Sequence, residues 1–219
     1  GCLPQRFSHD LPRQFPEVDL FLGTGEVPLI ARRLRQLDAG RGAGIVRCDR
    51  PTYLMPGDAP RVLATEPGSA YLKIAEGCSN ACTYCTIPAI RGPYRFRAPE
   101  SILREARRLV REHGVRELNL IAQDTTRYPD LAGLLRRLAR MQKLGWIRLL
   151  YGHPLHLTAA VLAVMAGEEA PGGKGMTEAN KERLVLDDME DVADWGNGSP
   201  DETTISASDR HVKEGRRAL

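Results

Sequence analysis

The feature that most constrains the fold is a regular alternation of predicted strands and helices between residues 70 and 166. Three short apolar segments have the composition of buried strands, and each is followed by apolar residues that recur at helical spacing. The strand segments are 71–75, 117–122 and 146–151. Near-continuous apolar strands that alternate with helices predict a parallel sheet with crossover helices. We therefore predict an α/β fold with about three βα units in this part of the chain.

Local signals place the ends of the predicted helices. Pro99 suits the first turn of the first helix, and Gly114 is suited to end it. Asp130 predicts the N-cap of the second helix, and Thr158 predicts the N-cap of the third.

Three cysteines lie directly after the first predicted strand. Cys78, Cys82 and Cys85 form a C-x₃-C-x₂-C pattern, with Tyr84 just before the last of them. Thiolates at this spacing can hold three corners of a [4Fe–4S] cluster and leave one iron without a protein ligand. The alternative is a structural zinc site of the Cys₃His type. Zinc needs a fourth ligand, and no second paired motif follows within the usual distance.

Polar segments also follow the other two predicted strands. Residues 123–126 (QDTT) follow the second strand, and residues 152–154 (GHP) follow the third. Parallel strands bring their carboxyl ends to one edge of a sheet, where the chemistry of such folds lies. We expect Gln123 to face a cavity there, toward cofactor or substrate, and Asp124 either to do the same or to cap the next turn. Three such segments on one rim favour the cluster over zinc.

Two histidines and three arginines lie near these segments. His153 is expected to line the cavity or to be a hydrogen-bonded structural residue, and His156 is expected on the solvent side. The three cysteines, which we call the triad, are followed by Arg91, Arg95 and Arg97. These arginines are predicted to neutralise the bound groups, to meet an acidic partner, or simply to be solvated.

Composition limits the class of protein. A chain of 219 residues with 42% apolar residues can form one or two domains with a core. Its net charge of +3 is too small to indicate nucleic acid by itself. No apolar stretch approaches the length of a membrane span, and no secretory signal leads the sequence. Five cysteines, an odd number, argue against a disulfide framework, so we expect a reducing, cytoplasmic setting and no membrane partner.

The chain divides into four zones. Residues 1–40 have the pattern of a small α/β piece, with a strand candidate at 18–22. Residues 41–69 are rich in Gly, Pro, Arg and Asp and are predicted to be a linker. Residues 70–166 hold the strand–helix alternation. Residues 167–219 are polar with few apolar residues and are predicted to be a divergent, largely disordered tail.

The segment from Tyr71 to about Met165 resembles the methylthiotransferase branch of the radical S-adenosylmethionine (SAM) enzymes. YLKIAEGCSNACTYCTIPAIRG contains the cysteine loop and the Ile-Pro…Arg-Gly extension of that branch, and RELNLIAQDTTRYPDL and WIRLLYGHP follow at its spacing. Residues 1–30, with GCLPQRF and FPEVDLFLGTGE, resemble the end of the family's N-terminal domain.

The resemblance implies a partial radical SAM (βα) barrel after a remnant of the N-terminal methylthiotransferase domain. It implies that Cys78, Cys82 and Cys85 hold a [4Fe–4S] cluster whose open iron binds SAM. An electron from an external donor then cleaves SAM to a 5′-deoxyadenosyl radical, which removes an unactivated hydrogen. Tyr84 is expected near the adenine, or in ordinary loop packing, and Gln123 near SAM or substrate.

The intact family has a second cluster in its N-terminal domain. Cys2 matches one of the three cysteines that hold it, and the other two are absent from the sequence, so this site is incomplete. The alternative for Cys2 is a buried free thiol. Cys48 matches no family cysteine and is interpreted as an incidental linker thiol.

Two types within the branch differ in substrate. RimO-type enzymes modify an aspartate of a small-subunit ribosomal protein, and MiaB-type enzymes modify a tRNA adenosine. The sequences QDTT, IPAIRG and YGHP favour the RimO type. A non-enzymatic zinc-binding module is the third hypothesis.

Parts of the family pattern are missing. Three of the six barrel strands are recognised, and neither the later Gln-His signature nor the C-terminal RNA-binding-type β-barrel is found. Half a barrel would leave two unpaired sheet edges. We therefore expect the isolated chain to be a poorly stable and catalytically inactive fragment.

Overall fold

The first part of the fold is a small α/β unit. The computed structural model describes residues 1–38, 45–167 and 184–186. The unit's elements are α1 (Cys2–Arg6), α2 (Leu11–Gln14), β1 (Leu20–Leu22), a 3₁₀ helix (Thr24–Leu29), α3 (Ile30–Asp38) and β2 (Ile45–Arg47). Strands β1 and β2 pair in parallel, with Leu20 opposite Ile45. Strand β2 lies in the segment predicted to be a linker, because its three residues are too few to give a strand pattern.

The second part contains the strand–helix alternation. Its elements are β3 (Ser69–Lys73), β4 (Ala75–Glu76), α4 (Ile87–Arg91), β5 (Arg95–Phe96), α5 (Pro99–Glu112), β6 (Glu117–Ile121), α6 (Leu131–Ala139), β7 (Trp146–Leu149), a 3₁₀ helix (Pro154–His156), α7 (Ala159–Met165) and β8 (Leu184–Leu186). Strands β3, β6, β7 and β8 form one parallel sheet in that order. Strands β4 and β5 form a short antiparallel ribbon. The predicted parallel α/β sheet is confirmed, and its closure into part of a barrel stays a prediction.

Strand β8 is an addition to the three strands that the sequence indicates. It pairs in parallel with β7, with Ile147 opposite Leu184. The apolar run Leu184–Leu186 is short and stands among charged residues, so periodicity alone does not identify it. The remaining tail positions, 168–183 and 187–219, lie outside the described residues, and the predicted disorder of the tail falls on them.

The two faces of the sheet differ. Leu72, Leu120 and Leu149 occupy one face and are almost fully buried in the main core, which also includes apolar residues of α5, α6 and α7. Burying a leucine side chain contributes about 1.5–3 kcal/mol, so this face supplies much of the cohesion. On the other face Asn119 stands opposite Tyr71 on β3. The helices pack on the apolar face, so the polar face is the one that the predicted barrel would enclose.

The predicted helix ends are confirmed. Helix α5 begins at Pro99, and Gly114 follows its end with φ +65°. The Asp130 side chain accepts the Gly133 N–H at 3.0 Å, and the Thr158 hydroxyl accepts the Val161 N–H at 3.4 Å. These caps satisfy helix N–H groups and fix where each loop at the carboxyl edge of the sheet ends.

Within the described residues, no helix combines the length and apolar character needed to cross a membrane.

Candidate functional site

A cavity of about 520 Å³, which we call the cysteine cavity, opens at the carboxyl edge of the sheet. Residues that follow β4, β6 and β7 line it together, as expected for the chemistry-bearing edge of a parallel sheet. The predicted site residues among its lining are Cys78, Cys82, Tyr84, Cys85, Gln123 and His153. The fold thus brings distant parts of the sequence to one place.

The three cysteines of the loop are free thiols that face this cavity. Cys78 is buried, and Cys82 and Cys85 are half-buried. The Asn80 backbone N–H donates to the Cys78 sulfur at 3.4 Å, and the Cys85 N–H donates to the Cys82 carbonyl at 3.1 Å. Among the described residues, no three Cys, His, Asp or Glu side chains stand close enough together to hold a metal ion. The loop therefore presents its thiols to the cavity without drawing them into a closed site.

The turn into the cysteine loop depends on Gly77. Its φ of +76° lies in the left-handed region, which glycine adopts without steric cost. A Cβ at this position would lie 2.3 Å from the carbonyl oxygen of Pro93 and 2.6 Å from that of Gly92. The same strand-to-loop passage is held by the Cys78 N–H, which donates to the Gly92 carbonyl at 3.1 Å. The residues that follow the cysteine loop therefore pack against the residues that begin it.

Gln123 joins the end of β6 to the start of the cysteine loop. Its Oε1 accepts the Gly77 N–H at 2.9 Å, while its side chain lines the cavity. The expectation that this polar residue faces the cavity is consistent with that position.

Two of the residues that line the cavity, Lys73 and Arg91, are cations that pair with the same carboxylate. Glu76 accepts from Lys73 Nζ at 2.6 Å and from Arg91 Nη1 at 3.1 Å. Burial alone would raise the pKa of Glu76, but the hydrogen bond from Lys73 and the two cationic neighbours together hold it below its ordinary value. The carboxylate therefore stays ionised and holds both cations at the cavity.

Arg91 also reaches the first part of the chain. Its Nη2 lies 3.3 Å from the Cys2 sulfur, and Cys2 itself is exposed on α1. The Thr24 hydroxyl donates to the Ile90 carbonyl at 3.1 Å, one residue before Arg91. Cys2 is therefore separated from the cysteine cavity by the Arg91 side chain, and it is not the buried thiol that the alternative interpretation expected.

A buried carboxylate ties the cysteine loop to the loops after β6 and β7. Asp124 accepts from Asn80 Nδ2 at 2.8 Å and from the Arg127 N–H at 3.1 Å. His156 Nδ1 lies 2.6 Å from Asp124 Oδ2, so the expectation that this histidine lies on the solvent side is wrong. The residue is half-buried because the 3₁₀ turn at Pro154–His156 folds it back over the sheet edge. Asp124 thus caps the following turn, one of its two predicted roles.

The end of β7 carries backbone strain at the cavity. Tyr151 has φ +61°, an uncommon conformation for a bulky residue, and it lines the cavity. Its carbonyl accepts the Thr125 N–H at 3.0 Å, which holds the conformation. His153 lines the cavity too, and its Nδ1 accepts the Leu155 N–H at 3.3 Å. Both roles considered for His153 are therefore present at once.

The arginines after the triad do not act as one group. Arg97 is almost fully buried and pairs with Glu105 at 2.6 Å, so its predicted contact with bound groups or solvent is wrong. Burial of a charge requires such a partner, and Arg61 also contacts this carboxylate at 2.8 Å. Arg95 donates to the carbonyls of Arg91 and Pro93. Only Arg91 of the three lines the cavity.

Some cavity residues carry no recognisable signal in the sequence. Lys73 ends a strand, Asn80 lies inside the triad, and Tyr151 follows an apolar strand. Each is an ordinary residue type for its local element, and only the fold shows that they share a cavity. Tyr84, which the sequence did single out, is 88% exposed where it lines the cavity.

The donor set fits a [4Fe–4S] cluster with one open iron. It consists of three thiols that line the same cavity, none of them in a disulfide. The neighbouring Lys73 and Arg91 supply positive charge that suits the anionic cluster and the carboxylate of a bound ligand.

Comparison with protein families gives one match over more than half of the chain. Residues 72–192 match the family described as the radical SAM superfamily. The match begins in β3 and includes the whole cysteine loop.

Individual relatives agree with this match. The chain is 53% identical over 178 residues to the ribosomal protein uS12 methylthiotransferase RimO of Syntrophus aciditrophicus (strain SB), which covers 77% of the chain and 39% of that relative. It is 50% identical over 161 residues to the protein of the same name from Trichlorobacter lovleyi, covering 70% of the chain and 35% of the relative. It is 44% identical to the protein of that name from Geotalea uraniireducens, and the match covers 77% of the chain and 39% of the relative.

The chain therefore spans about two fifths of the length of these relatives. The resemblance to RimO-type methylthiotransferases is confirmed over most of the chain. With a cysteine loop and cavity at the expected edge of its parallel sheet, the chain belongs to the radical SAM superfamily.

Proposed function

We propose that this chain is part of a radical SAM methylthiotransferase that acts on an aspartate of the small-subunit ribosomal protein uS12. The observation that carries the proposal is the single cavity lined by Cys78, Cys82, Cys85 and Gln123. Radical SAM membership supports the cofactor chemistry. The relatives' names support uS12 rather than tRNA as the substrate. Family membership also argues against a non-enzymatic zinc module.

The proposed role of the cysteine loop is to hold a [4Fe–4S] cluster through Cys78, Cys82 and Cys85. When bound, such a cluster supplies the electron that cleaves SAM and so provides a carbon radical able to remove an unactivated hydrogen. The electron comes from an external donor. The chain's own residues set the geometry: Gln123 holds the Gly77 turn, and Asp124 holds Asn80 within the loop.

SAM is proposed to lie in the cavity beside the triad. Tyr84 is largely exposed, so its ring can close over the adenine, and Gln123 lines the same cavity. Lys73 and Arg91 are held at the cavity by Glu76 and can attract the SAM carboxylate. Closing the ring of Tyr84 over the ligand would also exclude water from the reacting bond.

Cys2 is proposed as one ligand of a second cluster in the intact enzyme. It is exposed and lies beside Arg91, which borders the cysteine cavity. A single thiol cannot hold a cluster. Between Cys2 and Cys48 the chain has no other cysteine, so we propose that it does not complete methylthio transfer alone. A reducing cytoplasm suits thiolate ligands of this kind.

Binding of SAM tests the proposal directly. The chain is reconstituted anaerobically with iron and sulfide, reduced, and examined by electron paramagnetic resonance with and without SAM. We expect SAM to change the spectrum, because it would ligate the open iron. A spectrum that SAM leaves unchanged would contradict the cofactor role.

The proposed inactivity of the chain alone is tested in the same preparation by mass spectrometry of uS12 and of tRNA. We expect neither to gain a methylthio group from the chain alone. A methylthio product on uS12 would refute the proposed inactivity and support the substrate. A product on tRNA would refute the substrate assignment.

A further inference from the structure

A second cavity, of about 480 Å³, lies between α5, α6 and the turn that follows α6. Its charged lining residues are all cations, and we call the set the basic groove: Arg107, Arg111, Arg137, Arg140 and Lys143. The groove shares no lining residue with the cysteine cavity.

The fold places the groove away from the cysteine cavity. In a parallel sheet with crossover helices, each helix runs back from the carboxyl edge to the amino edge. Arg111 and Arg140 lie at the carboxyl ends of α5 and α6, next to the starts of β6 and β7. The basic groove therefore belongs to the opposite end of the sheet from the triad.

The charge of the groove is little compensated. All five side chains belong to exposed residues, and no Asp or Glu is among the lining residues. Within the described residues, the one ion pair formed by this set joins Arg137 to Glu100 at 3.2 Å, and both partners are exposed. An exposed pair of this kind contributes little, so Arg137 can exchange its partner for an anionic ligand.

Complementing the helix dipole explains only part of this arrangement. Cations in the last turn of a helix stabilise it, and Arg111 and Arg137 occupy such positions. Arg107 lies earlier in α5, and Lys143 lies beyond the end of α6. The helix dipole does not account for these additional cations, which line the same cavity.

We propose that the basic groove docks the phosphate backbone of double-helical RNA. Four of its five cations are arginines, whose guanidinium groups pair with phosphate oxygens in a bidentate manner. No aromatic residue lines the groove, so it lacks the stacking platform that single strands use. Recognition would be of shape and phosphate rather than of base sequence. The choice of RNA over other polyanions rests on the proposed function, because a ribosomal protein substrate is surrounded by RNA.

The test uses the 219-residue chain and a fluorescently labelled short RNA duplex, without SAM or uS12, in rising salt. Counterion release predicts that binding weakens steeply with salt. The groove variant carries Arg107→Gln, Arg111→Gln and Arg140→Gln. We expect the slope of log K against log salt to fall by about one for each arginine removed, and binding to weaken at least about tenfold.

The matched control carries Arg13→Gln, Arg32→Gln and Arg35→Gln. These arginines are exposed on α2 and α3 and form no ion pair among the described residues, so the control loses the same charge elsewhere. We expect it to bind the duplex nearly as the parent does. Equal losses in both triple variants would overturn the proposal, because the groove would then act only through net charge.

Two further arms separate other outcomes. Binding of an acidic peptide in preference to the duplex would overturn the RNA assignment and make the groove a protein-docking surface. If the triple variant fails to fold by circular dichroism, Arg140→Gln alone is measured, and an unchanged salt slope would overturn the proposal. These binding measurements do not depend on catalysis. A failure of methylthio transfer would therefore not change the RNA-binding result.

Discussion

At the scale of single residues, the cysteine loop depends on positions that carry no chemistry themselves. Gly77 lets the chain turn sharply out of β4, and its N–H is fixed by Gln123. The turn sets where Cys78 begins the loop, one residue later. A change at Gly77 should therefore affect both folding and metal uptake.

We expect Gly77→Ala to destabilise the chain by more than the roughly 1–2 kcal/mol that a left-handed alanine costs, because its Cβ would also overlap the Pro93 and Gly92 carbonyls. Gly114→Ala is the matched control: its φ is +65°, and nothing lies within 4 Å of the added Cβ. Chemical denaturation compares the two free energies of unfolding. Equal losses of unfolding free energy in the two variants would show that overlap with the Pro93 and Gly92 carbonyls adds no cost at Gly77.

Residue-level prediction from sequence succeeds where a side chain has a distinctive type or spacing. The triad stands out by its spacing, and Asp130 and Thr158 stand out as caps. His156 was misplaced because its partner, Asp124, is 32 residues away and is brought near only by the sheet. Long-range polar pairs of this kind leave no local pattern.

At the scale of elements, buried charge pairs join the strands to the helices around the site. Arg97 follows β5 and pairs with Glu105 of α5, and the two side chains are 2% and 1% exposed. Arg97 Nη1 also donates to the Lys73 carbonyl at the end of β3 at 2.6 Å. This pair therefore fixes α5 against the strand that leads into the cavity.

Removing one member of this pair leaves a buried charge without compensation. We expect Arg97→Ala to lower the free energy of unfolding by about 3–5 kcal/mol. Arg137→Ala, which breaks an exposed pair with Glu100, should cost less than about 1 kcal/mol. Thermal and denaturant unfolding measure both. A small effect at Arg97 would contradict its structural role.

The Glu76 contacts join β4 to Lys73 on β3 and Arg91 on α4. Because the folded pKa of Glu76 lies below its ordinary value of 4.5, its stabilisation is present above that value and is lost as the pH falls through the lower folded pKa. We expect Glu76→Gln to be less stable than the parent at neutral pH. The difference in stability between the parent and this variant should shrink as the pH falls below the ordinary Glu76 pKa of 4.5.

The measurement is the melting temperature of parent and variant across an acid series. Glu17→Gln, at an exposed position without an ion pair among the described residues, serves as the control. A parent–variant difference that stays constant through the acid range would contradict the linkage.

At the scale of elements, sequence prediction worked best for long, strongly periodic segments. Helix α5 and strand β6 lie where the pattern places them, within a residue or two. Strands β2 and β8 have three residues each, and β4 and β5 have two. Segments this short are defined by the partners they pair with, which the local sequence does not contain.

At the scale of the whole molecule, the cysteine cavity and the basic groove lie at opposite ends of the four-stranded parallel sheet. The order of the elements predicts the first, because every chemistry-bearing loop follows a strand. The groove was not predicted, since its arginines lie on two helices and resemble ordinary solvated charges in the sequence. Only the packing of α5 beside α6 brings them together.

The central claim is that the triad, and no other set of side chains, holds a [4Fe–4S] cluster. Iron and acid-labile sulfide are measured per chain after anaerobic reconstitution, for the parent and for single alanine variants of Cys78, Cys82, Cys85 and Cys48. We predict about four iron atoms in the parent and in Cys48→Ala, and a loss of most iron in each triad variant. Full iron content in a triad variant, or zinc in place of iron in the parent, would contradict the account.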